Sequence, residues 1–135
     1  MSDDRSRVRR LDRILKVQGQ KRLLEEWRLS NLRQERETID KDDVALLDSL
    51  GTESQLHGLF IEAKVRNLRR NEVKRSANLA DQSATEQRIT TTRRAEKGVE
   101  KVRDDARRNR DADEETRSLE SSVEGHLARR HPSFE

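Results

Sequence analysis

The chain offers few residues that could carry out chemistry. His57, His126 and His131 are its only imidazoles, none has a second histidine four residues away, and there is no cysteine. A helical metal site needs ligands that recur on one face, so solvated histidines on a helix or a tail are the simpler reading. Asp40, Asp42, Asp43 and Asp48 have the composition of a calcium loop. They lack the alternating Asp order, the central glycine and the distal Glu that would wrap an ion, and they read as a hydrated helix end. No glycine-rich turn precedes a Lys-Ser or Lys-Thr pair, so no phosphate cradle is expected. No catalytic group, metal or cofactor follows from these residues, and the expectation is a protein that is not an enzyme.

Nucleic-acid binding is the next chemistry to weigh. Arginines cluster at Arg7, Arg9, Arg10 and Arg13, at Arg66, Arg69 and Arg70, at Arg93 and Arg94, and at Arg107, Arg108 and Arg110. Cations near phosphates are all the electrostatic part of such binding requires. Acidic residues are interleaved among them, however, and no tyrosine is present to stack on a base. A solvated helical face carrying acid–base neighbours such as Glu96 and Glu100 beside Lys97 and Lys101 is favoured over nucleic acid.

The elements that must position these residues follow from composition. Of 135 residues 42% are charged, 30% are hydrophobic and 2% are aromatic. An ordinary globular domain has about half its residues apolar and about a quarter charged, so a compact core is excluded. An extended helical coiled coil or a disordered chain remains. The longest apolar run is Leu59-Phe60-Ile61, and the chain opens on the acidic Met-Ser-Asp-Asp. Neither a membrane span nor a secretory leader is expected, which points to the cytoplasm, with export by a leaderless route left open.

The only proline is Pro132, and Arg, Glu, Lys, Leu, Gln and Ala dominate the rest, so helix is favoured from Arg5 to Ala128. A seven-residue frame from Val8 selects Val8, Leu11, Leu15, Gln18, Arg22, Glu25, Leu29, Leu32, Arg36, Ile39, Asp43, Leu46 and Leu50. Eight of the thirteen are apolar, and Leu23, Leu24 and Trp27 are positioned to bridge the polar gap by a shift of register. Ser49-Leu50-Gly51-Thr52 then reads as a helix end, with Gly51 free to take positive φ, and Thr52 stands three residues before Gln55 in a capping-box spacing. A second frame runs through Leu56, Leu59, Ala63, Arg66, Arg70, Val73, Ala77, Ala80 and Ala84, then thins to Ala95, Val99, Val102 and Ala106.

Large side chains on the first stripe and small ones on the second would allow close approach. The expected fold is all-α, a long antiparallel two-helix coiled-coil hairpin with an overhanging C-terminal helix. Its parts would be a tail over 1–7, helix one over 8–50 (roughly 65 Å long), a turn over 51–54, helix two over 55–122 with its seam thinning after 106, and a tail over 123–135. Such an alanine seam suggests marginal stability and weak self-association as a four-helix assembly. Charge alternates along the chain: +7 over residues 5–36, −6 over 37–62, +8 over 63–110 and −5 over 111–124. Both arms of a hairpin would then be basic and its turn end acidic, which suits two different partners. Trp27 is expected in the seam. Leu59, Phe60 and Ile61 cannot all face one helix, so at least one is a candidate docking point.

The order of these segments resembles the FliJ/YscO group of type III export stalk proteins, flagellar and injectisome alike. The resemblance rests on Arg10-Leu11-Asp12-Arg13-Ile14-Leu15-Lys16-Val17-Gln18, on Leu56-His57-Gly58-Leu59-Phe60-Ile61 with Leu68, and on Arg93-Arg94-Ala95-Glu96-Lys97-Gly98-Val99-Glu100-Lys101-Val102 ahead of an Arg-rich stretch and Glu114-Glu115. It covers about residues 8–120. Membership would imply a two-helix stalk docked in the pore of the hexameric export ATPase and reaching the membrane export-gate protein, with export chaperones as further partners. The chain would then be cytoplasmic and peripherally associated with the membrane apparatus. The resemblance would put Arg10, Leu11, Leu15, Arg94, Val99, Lys101 and Val102 on the ATPase, and Leu32, Phe60, Lys64 and Leu68 on the gate. Helix one is shorter than the family leads one to expect, and tyrosines near the turn are missing.

Overall fold

A computed structural model describes residues 2–51 and 57–130. Two helices account for them: α1, Ser2–Leu50, and α2, His57–Arg130. Both extend past the expected limits, α1 taking in the proposed tail from Ser2 onward and α2 most of the one over 123–135. Asp3 and Asp4 in the first turn of α1, and Arg129 and Arg130 in the last turn of α2, complement the helix dipole at those ends. The capping box expected at Thr52 lies outside the described residues. Gly51 does not take positive φ. Its N–H instead donates to the Asp48 carbonyl at 3.2 Å, and Lys64 Nζ donates to the Ser49 carbonyl at 3.3 Å, so two of the orphan acceptors at the end of α1 are satisfied.

The chain divides into two units, Met1–Gly19 with Arg94–Glu135, and Gln20–Arg93. In each, the helices pack antiparallel. In the first, Arg5 pairs with Glu114 at 3.1 Å and Asp12 with Arg107 at 3.3 Å. In the second, Glu26 pairs with Arg93 at 2.9 Å, Arg33 with Glu86 at 3.7 Å and Asp40 with Arg75 at 3.0 Å. Partner numbers fall on one helix as they rise on the other, which is the expected all-α hairpin.

The covered face of α1 follows the frame from Val8. In the first unit Val8 is buried, and Leu11, Leu15 and Gln18 are half-buried. In the second, Glu25, Leu29 and Ile39 are buried, and Arg22, Leu32, Asp43, Leu46 and Leu50 are half-buried. No register shift occurs around the polar positions. Leu23 and Leu24 are exposed, and Trp27, expected in the seam, is 62% exposed.

The expected seam of α2 is overturned in the second unit, whereas Val99 and Ala106 of its expected continuation are covered in the first. Ala63, Arg66, Arg70, Ala77, Ala80 and Ala84 are exposed, and Val73 is 71% exposed. The covered residues of the second unit are Lys64, Leu68, Asn71, Arg75, Asn78, Gln82, Thr85, Ile89 and Thr92, and those of the first include Glu96, Val99, Arg103, Ala106 and Arg110. Both sets keep the alternating three- and four-residue step of a coiled coil. The reason lies on α1. Its stripe carries Glu25 and Asp43, whose burial against alanine would remove the partners they have on the other helix. The polar face of α2 supplies those partners. Asn71 Nδ2 donates to Asp42 Oδ2 at 2.7 Å and Asp43 Oδ1 at 2.8 Å, and Arg88 Nε donates to Glu25 Oε2 at 3.1 Å. Leucine opposite Asn, Gln and Thr replaces the expected leucine opposite alanine.

Candidate interaction surfaces

The first unit holds all seven residues that the resemblance places on an ATPase, in two groups. Leu11, Leu15 and Val99 are half-buried between the helices and hold them together. Arg10, Arg94 and Lys101 are exposed, and Val102 is 41% exposed. These four share no ion pair with any described residue, so their charge and apolar area remain open to a partner. Asp12 is the acidic group nearest in sequence to Arg10, and it is committed to Arg103 at 3.6 Å and Arg107 at 3.3 Å. Where α1 begins, the hydrogen bond between the Asp113 and Asp4 carboxyls, with the Asp4 charge beside it, raises Asp113 above the ordinary carboxylate value.

The second unit holds the four residues expected on an export gate, and the hairpin itself uses three of them. Leu32 is half-buried and its carbonyl accepts from Asn78 Nδ2 at 2.9 Å. Lys64 caps α1 through Ser49, and Leu68 is half-buried in the seam. Phe60 alone stands free, 53% exposed, with Ile61 exposed beside it. The side chain of Leu59 lies outside the described residues.

Polar contacts in the second unit form a chain along the seam. Gln82 Nε2 donates to Asn78 Oδ1 at 2.6 Å, and Thr85 Oγ1 donates to the Asp81 carbonyl at 2.8 Å while accepting from Arg88 Nη2 at 3.0 Å. Nearer the turn, Arg75 bridges Asp40, Asp43 and Glu72, and the first two carboxylates raise its already high pKa. The Asn71 amide and the Arg75 guanidinium hold Asp43 below the ordinary carboxylate range. Arg93, then Arg22, does the same for Glu26. These groups fix the register of one helix on the other.

Sequence reasoning missed the exposed aliphatic positions Val44, Leu47, Val65 and Leu79. They fall outside both expected stripes, and only the true seam of α2 shows which way they point. Among the described residues no group of three His, Cys, Asp or Glu could hold a metal ion, and no helix is long and apolar enough to cross a membrane. The chain matches no family model, no curated protein and no solved structure.

Proposed function

We propose that the chain is a non-enzymatic coiled-coil stalk of a type III protein export apparatus. It would couple a hexameric export ATPase to the membrane export gate and assist export chaperones from the cytoplasmic side. The observation that supports this reading is the antiparallel packing of two long helices joined by a short connection, the architecture the family resemblance implies. The exposed members of the ATPase set, Arg10, Arg94, Lys101 and Val102, would make the contact, while Leu11, Leu15 and Val99 keep the two helices together. At the other surface Phe60 would meet the gate, and Leu32, Lys64 and Leu68 would support the hairpin.

The test is stimulation of the export ATPase from the same organism by the purified chain. Val102→Asp should abolish stimulation without altering the helical signal, since its side chain is exposed. Val99→Asp should abolish it and also lower the melting temperature. No binding to that ATPase at micromolar protein would overturn the reading. A generic coiled-coil scaffold, or a nucleic-acid-associated helical protein, is the second reading. It is favoured by Arg7, Arg9, Arg10 and Arg13, which form no ion pair among the described residues. The nucleic-acid version requires affinity that falls steeply with salt, and absence of binding at about 50 mM salt removes that version.

A further inference from the structure

The two flanks of the seam in the second unit carry charge in different ways. On one flank the ion pairs Glu26–Arg93 and Arg33–Glu86 cross from helix to helix, so opposite charges face each other and the chain satisfies them itself. On the other flank the facing charges are alike. Arg28 of α1 and Arg88 of α2 hold the two oxygens of Glu25 and so stand together. One heptad nearer the turn on each helix, about 10 Å along the axis, come Glu35 of α1 and Asp81 of α2. Both are exposed, and neither has an ion pair among the described residues. Leu32 and Thr85 lie between these two pairs, and all six residues line one shallow groove.

Charges that flank a coiled-coil seam set the choice and orientation of a partner helix. A rung of two cations next to a rung of two anions is satisfied by the same pattern inverted, and this chain carries that pattern. Beside the groove the helices present small side chains, Asn31 and Thr38 on α1 and Ala77 and Ala84 on α2, all exposed. Helices with small residues at the contact can approach closely.

We propose that this flank is the contact surface for a second copy of the chain, related by a two-fold axis that crosses both helices at right angles. The axis passes beside Asn31 and Ala84, midway between the charged rungs, so α1 packs on α1 and α2 on α2, both antiparallel. Arg28 and Arg88 of each copy then meet Glu35 and Asp81 of the other. Glu25 balances one of the two arginines, which leaves one positive charge facing two negative ones, twice over. Leu24 of each copy, 47% exposed in the single chain, covers Thr38 of the other. One heptad further out, Lys21 meets the rung formed by Asp42 and Lys74, which is neutral as a whole. Stacking the copies with their helices parallel instead would set Arg28 on Arg88 and Glu35 on Asp81, so charge selects the antiparallel orientation. The contact uses the second unit only, and because each copy gives the same surface, it closes at a dimer. This inference is independent of the export reading.

The experiment is sedimentation of the full chain over a range of concentrations. The wild type should pass from monomer to dimer, and added salt should weaken the dimer. Glu35→Arg with Asp81→Arg makes both rungs cationic and should weaken association about tenfold or more. Both positions are exposed and unpaired, so circular dichroism should show unchanged helix. A cross-link then reads the orientation. The chain has no cysteine, so Asn31→Cys and, separately, Ala84→Cys each place one thiol beside the axis, facing its own counterpart. A short bismaleimide should join the copies of either variant. Ser83→Cys, exposed on the opposite flank, should stay unlinked. A wild type that remains monomeric at hundreds of micromolar overturns the proposal. So does a charge reversal that leaves association unchanged, or Ser83→Cys linking as readily as Asn31→Cys and Ala84→Cys.

Discussion

Arg88 Nε stands 3.1 Å from Glu25 Oε2, and Arg28 Nη1 holds the other carboxylate oxygen at 2.8 Å. The Glu25 side chain is 7% exposed, while both arginines are about half exposed. The carboxylate occupies a position between the helices where leucine is usual, and its cations reach in from a hydrated rim. This asymmetry means that either arginine can return to water if the carboxylate is removed.

Replacing Glu25 by leucine should therefore stabilise the hairpin. Burying a leucine contributes about 2 kcal/mol, and each lost pair to a half-exposed arginine takes away up to ~1 kcal/mol after solvent screening. A net gain of about 1 kcal/mol is expected, with Glu25→Ala on the losing side because it fills nothing. Thermal melts followed at 222 nm test this. A melting temperature for Glu25→Leu below that of the wild type would mean that the ion pairs outweigh the packing.

Exposure makes a second prediction sharp. Leu29 is 8% exposed and Trp27 is 62% exposed. Leu29→Ala should cost about 2–3 kcal/mol, whereas Trp27→Ala should stay within about 0.5 kcal/mol. Equal losses in urea titrations would place Trp27 in a packed interface that the isolated chain lacks.

The two units should respond to acid in opposite ways. Asp43 is depressed in the folded state, so its contribution is complete above its unfolded value near 3.8 and is lost as pH falls through the folded value. Glu26 behaves alike. Asp113 is raised, so its favourable contribution is present below that same unfolded value and is lost as pH rises through the folded one. Asp43→Asn should flatten the fall in melting temperature between pH 5 and pH 3. Asp113→Asn should slow amide exchange near residue 110 at pH 7, where the Asp4–Asp113 contact is repulsive. Faster exchange in that variant would contradict the assignment.

The sequence by itself determined the helical class, the helix end at Leu50 and the covered face of α1, except around Gln18–Glu25, where the expected shift of register through Leu23, Leu24 and Trp27 does not occur. Composition left no other means of ordering so charged a chain, and the frame from Val8 places leucine, isoleucine or valine at most of its positions. It also limited the exposed candidates at the turn end, because three consecutive apolar residues cannot share one face. Only the tertiary structure decided the face of α2 in the second unit. By hydrophobicity alone Val73, Ala77, Ala80 and Ala84 make the better stripe, and periodicity has no measure of what the opposite helix requires. Glu25 and Asp43 on α1 take hydrogen bonds from across the seam, and Asn71, Arg75 and Arg88 provide them only when α2 presents its polar face. An unsatisfied buried carboxylate is more unfavourable than an exposed alanine methyl, so satisfying the polar groups set the register and left the aliphatic residues facing water.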